Sequence, residues 1–324
     1  MTTTCTPPLT PLRFRDDAVF WPVVGVTASV AAVSAISPAE PVWLSGVVLL
    51  VAIVGFGLPH GALDHLVDEV IKGGRSRDGR ARFVRNYLLV VAAMMLTWLV
   101  LPWLALLVFL VSSVHHFGHS DLSPLSAPQG SARRVLQWSR GLFLVGLPLV
   151  SHPEAIAPVV ERLGGGDPSK WFWLAENSAL WSSVLIAQHL AVLTVFAQWI
   201  ADPAVVAREF VSVGMLSVLF VVADPLIGFA VYFGLWHSVS HLLVLAEIFG
   251  KPRSSAREIA LLAAPLTFVS LAGLALLTAA VLAAGRRDLV VPVAFAVISA
   301  VTLPHLVLVE RLWRSPLAKS LRRP

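Results

Sequence analysis

The chain has 324 residues, of which 57% are apolar and 13% charged, against about 45–50% and about 25% in a soluble domain. A mean hydropathy of +0.80 in the same direction excludes a soluble domain, a disordered chain, a coiled coil and a collagen-like repeat. One cysteine, Cys5, cannot close an internal disulfide, so a disulfide scaffold is excluded too and cysteine usage does not report the redox compartment.

What remains is an all-α polytopic transmembrane bundle, because long apolar runs rather than ten-residue alternations fill the sequence. The net charge of +5 does not indicate a nucleic-acid partner, since the basic residues sit in short loops between apolar runs. Residues 1–17, rich in Thr and Pro, are expected to form a disordered cytoplasmic tail. Ten spans follow, near 18–36, 43–59, 86–101, 103–118, 135–150, 179–200, 209–223, 226–246, 260–284 and 289–309. Several are short, so eight or nine crossings with a re-entrant piece is the alternative. Pro102 divides the third span from the fourth, and Asp224-Pro225 divides the seventh from the eighth. The stretch 151–178, with Trp171 and Trp173, is expected to hold an interfacial helix. Residues 18–310 are expected to form one transmembrane domain, and 311–324 a basic cytoplasmic tail.

With the N-terminus inside, the inner segments carry 20 Lys and Arg and the outer ones 4. That asymmetry orients the chain with both termini cytoplasmic in a plasma membrane. Trp21, Trp43, Trp98, Trp103, Trp138, Trp199 and Trp313 fall near predicted span ends, as interfacial belts require. Trp236, beside His237, is the exception.

Ten histidines carry the chemistry. His60 and His65 close the second span, His115, His116 and His119 the fourth; His237 and His241 lie in the inner half of the eighth, and His305 near the inner end of the tenth. All four spans run inward, so eight histidines collect at one depth. Ionisable residues inside a membrane mark function by default, and imidazole is the commonest transition-metal ligand type. His237 and His241, four apart, share a helix face; as a pair they suit one metal ion or an interhelical hydrogen bond equally. His305, alone on its span, reads as a hydrogen-bonding residue, as do His152 and His189. Imidazole donors suit Fe, Cu, Zn or Ni and not Ca or Mg. Asp64 and Asp121 sit in the same motifs and are expected to orient the rings from behind; the alternative pairs Asp64 with the arginines of 72–85.

The segments PHGALDH (59–65), HFGHSD (116–121) and WHSVSH (236–241), with a late Pro304-His305, resemble the bacteriorhodopsin-related family of Brp/Blh-type membrane β-carotene 15,15′-dioxygenases. The resemblance spans about residues 45–310. It implies non-haem Fe(II) held by His60, His116, His237 and His241, with O2 as co-substrate, and central cleavage of β-carotene to two all-trans-retinal. Asp64, Asp121, His65 and His305 then stand behind the ligands, while Trp236, Tyr232, Phe233, Phe229 and Phe117 are candidates to line the substrate tunnel. β-Carotene would arrive from the lipid phase and a retinal-binding rhodopsin would follow downstream. Two rival readings are a di-iron membrane lipid desaturase or hydroxylase, which needs two irons, and a metal or proton transporter, which needs an ionisable ladder through the bilayer.

Overall fold

The computed structural model describes residues 16–37, 42–123, 125, 128–164, 169–249 and 256–317. Most of the predicted N-terminal tail and the end of the C-terminal one lie outside the described residues. The elements are α1 (Asp17–Ile36), α2 (Val42–Ala52), a π turn (Ile53–Gly57), α3 (Leu58–Ala62), α4 (Asp64–Ile71), α5 (Arg77–Val100), α6 (Pro102–Leu122), α7 (Gly130–Ser151), α8 (Pro153–Gly164), α9 (Ser169–Glu176), α10 (Ser178–Ala197), α11 (Pro203–Val222), α12 (Pro225–Val231), a second π turn (Tyr232–Ser238), α13 (Val239–Ile248), α14 (Ala256–Ala283), a 3-10 turn (Arg287–Leu289) and α15 (Val290–Arg314).

Among the described residues, nine helices are long and apolar enough to cross a membrane. A tenth crossing is possible through the pair α7–α8, which bends through 101° at His152-Pro153. Every predicted span has its helix. The second is longer than expected, because the helical rod begun by α2 runs on to Ile71. α15 likewise continues to Arg314, so the first residues assigned to the basic tail are helical. The segment 151–178 holds two short helices, α8 and α9.

The boundaries have local causes. α5 ends at Val100 and α6 begins at Pro102, where the proline ring can no longer continue the preceding hydrogen-bond ladder. Asp224 caps α12 through its side chain, accepting from the amides of Leu226 (2.9 Å) and Ile227 (3.4 Å), and Asp202 caps α11 in the same way. At the other end of α6, Arg133 donates to the carbonyls of Leu122 (3.0 Å), Ser123 (2.9 Å) and Leu125 (2.7 Å). A cation there satisfies orphan carbonyls and meets the negative end of the helix dipole.

Lipid tails are as apolar as leucine, so helices in a bilayer associate through close packing rather than hydrophobic burial. The tightest seam here is α6 against α7. A β-carbon on Gly118 would run into the carbonyl of Gln137, and one on Gly141 into the carbonyl of Val114. One apolar cluster joins α1, α7, α11 and α12 around Phe20, Phe143, Leu147, Leu216 and Phe220. A second joins α3, α4, α13, α14 and α15 around Leu63, Val67, Leu245 and Leu312. Trp21, Trp103, Trp138 and Trp199 are exposed, as belt residues should be. Trp98 and Trp313 are instead buried. Trp98 donates its indole N–H to Ser299 Oγ at 2.6 Å and so ties α5 to α15.

Candidate metal centre

Two rods that deliver histidines carry a π turn next to them, Ile53–Gly57 before His60 and Tyr232–Ser238 around His237. A π turn admits one residue more than an α turn and re-aims the side chains that follow, which is why such turns gather at functional sites. In the first rod Pro59 has no N–H to offer the Gly55 carbonyl, so the α ladder is already broken there. The two turns pack on each other: a β-carbon at Gly57 would strike the ring of Phe233, and one at Gly234 would stand 3.2 Å from Ala52 Cβ. Glycine at both positions lets these rods approach closely enough for their histidines to meet.

Five imidazoles converge, His60 from α3, His116 from α6, His237 from the second π turn, His241 from α13 and His305 from α15. All five are between 1% and 6% exposed. His60 has ring centroids 5.5 Å from His237, 5.5 Å from His241 and 5.0 Å from His305. His116 stands 5.0 Å from His237 and 5.4 Å from His305. His241 stands 5.6 Å from His305 and 6.4 Å from His237. With a metal–nitrogen bond of about 2.1 Å, imidazoles sharing one ion have centroids roughly 4.5 Å apart when adjacent and roughly 6.4 Å apart when opposite. The observed spacings fall in that window. His116 Nε2 and His237 Nε2 lie 3.3 Å apart, and two nitrogens on one ion at right to tetrahedral angles would lie roughly 3.0–3.4 Å apart. Among the described residues no three His, Cys, Asp or Glu side chains are drawn up into a closed ligand set; the donor chemistry and the ring spacing nonetheless suit a single transition metal ion.

Each aspartate of the motifs stands behind one ring. Asp64 Oδ1 is 2.7 Å from His305 Nδ1, and Asp121 Oδ1 is 3.5 Å from His237 Nδ1. Each is also met by one of the chain's two tyrosines. Tyr87 donates to Asp64 Oδ2 (3.4 Å) and to the Val301 carbonyl (3.1 Å), and Tyr232 donates to Asp121 Oδ2 (3.2 Å). Buried Arg140 reaches Asp121 at 3.7 Å. Tyr87 and Arg140 were not singled out from the sequence. A tyrosine in a chain that has only two, inside an apolar run, was the available signal. The arginines of 72–85 do not take Asp64; Arg80 pairs with Glu69.

On one side of the rings stands an aromatic wall. Phe117 meets His237 at 4.9 Å and Tyr232 at 5.4 Å. Phe233 stacks on His237 at 5.8 Å and on Phe229 at 5.4 Å. Trp236 faces elsewhere: its indole N–H donates to Thr27 Oγ1 (3.0 Å) and its ring meets Phe20 edge-on, which packs it on α1. His65 turns onto the carbonyl of Ala62 and its ring is not one of those at the centre. His115 and His119 stack on one another and face Glu310, 3.8 Å from His115. His189 pairs with Ser139 Oγ at 2.6 Å, and His152 donates to the Phe220 carbonyl at 2.9 Å.

These features define a polytopic helical membrane protein with a buried histidine centre. A family model described as Beta-carotene 15,15'-dioxygenase matches residues 51–313, and the chain belongs to that family. It is 30% identical over 198 residues to "Beta-carotene 15,15'-dioxygenase" of the uncultured marine bacterium 66A03, covering 59% of this chain and 66% of the relative. It is 27% identical over 224 residues to "Probable beta-carotene 15,15'-dioxygenase Blh" of Halobacterium salinarum, covering 64% of each. The chain thus spans a little under two thirds of the length of these relatives. No solved structure matches it.

Proposed function

We propose that this chain is an iron-dependent dioxygenase that cleaves β-carotene at the central 15,15′ double bond to two all-trans-retinal. One C=C bond becomes two C=O bonds and one O2 is consumed, so the reaction balances without an external reductant. The observation that carries the reading is the convergence of buried imidazoles beside an aromatic wall, in a chain of this family. His60, His116, His237 and His241 would hold Fe(II), which when bound activates dioxygen toward the polyene. Asp64 and Asp121 fix ring tautomers from behind and supply counter-charge. His65, half-buried on the same rod, turns onto the Ala62 carbonyl. Phe117, Phe229, Tyr232 and Phe233 present an apolar surface to the polyene and keep water from it. Trp236 would act on the wall at one remove, by fixing the π turn against α1.

β-Carotene would enter from the hydrocarbon of the bilayer, and retinal would leave to a retinal-binding rhodopsin. We place the protein in the plasma membrane with both termini cytoplasmic, on the Lys and Arg asymmetry of the loops. A single gathering of five rings, with His115 and His119 turned aside to Glu310, favours one iron per chain over the two of a desaturase. The test is expression in bacteria that accumulate β-carotene, followed by pigment extraction. Loss of yellow colour with retinal appearing is expected; carotene persisting in cells that make the folded protein overturns the reading.

A further inference from the structure

His305, which the motifs place behind the ligands, stands among the rings instead. It is alone on its helix, and a lone histidine ordinarily satisfies both nitrogens within the protein. Here one nitrogen is satisfied and the other is not. Nδ1 stands 2.7 Å from Asp64 Oδ1, which puts the ring proton on Nδ1 and leaves the lone pair on Nε2. Nε2 is buried and has no hydrogen-bond partner. The ring meets those of His60, His116 and His241 at centroid distances of 5.0, 5.4 and 5.6 Å, and nearly edge-on, at 79°, 72° and 77°. A bare lone pair aimed among other imidazoles is costly unless something accepts it.

The surroundings repeat those of His237. There too an aspartate stands near Nδ1, at 3.5 Å and short of a hydrogen bond, and a tyrosine hydroxyl holds that aspartate, at 3.2 Å. The chain's two tyrosines and the two motif aspartates are thus spent on these two rings, one set each. The Asp64–His305 contact is the shorter of the two. Pro304 sits inside α15, where it loosens the turn that carries the ring.

We propose that His305 is a fifth imidazole donor of the metal centre, with Asp64 and Tyr87 as its fixed backing; this rests on the metal centre proposed above. With His305 as a donor, five imidazoles rather than four would hold the ion, and fewer of its positions would be left to small ligands. Asp64 then acts as a positioning residue, tied to the ion through the ring.

The test uses the full chain, purified in detergent, stripped with a chelator and titrated with Co(II), whose visible d–d bands report donor number and geometry. The wild type is expected to bind one Co(II). His305→Ala should shift the bands and weaken Co(II) binding at least tenfold, and added imidazole should restore the wild-type spectrum by filling the space. Asp64→Asn should keep the donor number but weaken binding about 10–100-fold. If His305→Ala does not elute as a folded species, His305→Gln is read by the same criteria. A folded His305 variant with wild-type bands and affinity, alongside a His237→Ala that loses the metal, overturns this inference alone. A wild type that takes up no Co(II), or a His237→Ala with unchanged uptake, overturns the centre and this inference with it.

Discussion

At the scale of single residues, the centre depends on which nitrogen of each ring carries its proton. A carboxylate hydrogen-bonded to Nδ1 settles that, as Asp64 does for His305. Asp121 is shared among His237, Tyr232 and Arg140, so its charge is partly drawn off by the guanidinium. Asp121→Asn should lower metal affinity by about 10–100-fold while the helices still assemble; metal titration checks it, and unchanged affinity would make the 3.5 Å contact incidental. His241→Ala removes a donor outright. Retinal formation should fall to background and bound iron should drop, measured by pigment extraction and elemental analysis; full activity would remove His241 from the ligand set. The histidines and aspartates were conspicuous in the sequence because an ionisable group in an apolar run is rare. Their depth order was not. Spacing along one helix relates His237 to His241 but says nothing of which ring another helix sends forward, so His305 was expected behind the ligands and lies among the rings. Trp236 drew notice because it lies off the interfacial belts; its indole meets Thr27 and Phe20 of α1.

At the scale of elements, the site is held by contacts between backbones. The α6–α7 seam brings the helix carrying His116 against its neighbour with no side chain between them at Gly118 and Gly141. Gly118→Val should destabilise by at least the about 1–3 kcal/mol typical of overpacking, because the obstacle is a carbonyl on a helix and not a side chain that can rotate away. Size-exclusion elution and thermal inactivation in detergent would register it, and a variant as stable as the wild type would mean that the seam opens at little cost. The proline and Asp-Pro helix boundaries were readable in the sequence, since they rest on local covalent geometry. The π turns were not. A span that is apolar on all sides carries no periodicity, so one extra residue leaves no mark on the pattern. The extension of α4 to Ile71 was hidden for a related reason: Asp64, Asp68 and Glu69 end the apolar run without ending the helix.

At the scale of the whole molecule, the loop charges give a testable orientation. Reporters fused after Arg85 and at the C-terminus should both read as cytoplasmic, and the reverse outcome would invert the chain in the bilayer. One helix stands apart from the rest. α14 packs through Ile259 and Ala263 against the cluster around Leu63 and Leu245, beside the segment that carries His60, while Phe268 and Leu276 farther along are each 72% exposed. In a bilayer its stretch toward Ala283 would face fatty-acyl chains. A polyene reaching the rings past α14 has to exchange places with an acyl tail, and that exchange slows sharply when the tails freeze. In vesicles of a single saturated lipid, carotene turnover should break at the gel-to-fluid temperature while metal content stays constant across it; a smooth Arrhenius line through the transition would argue against a lateral way in from the lipid.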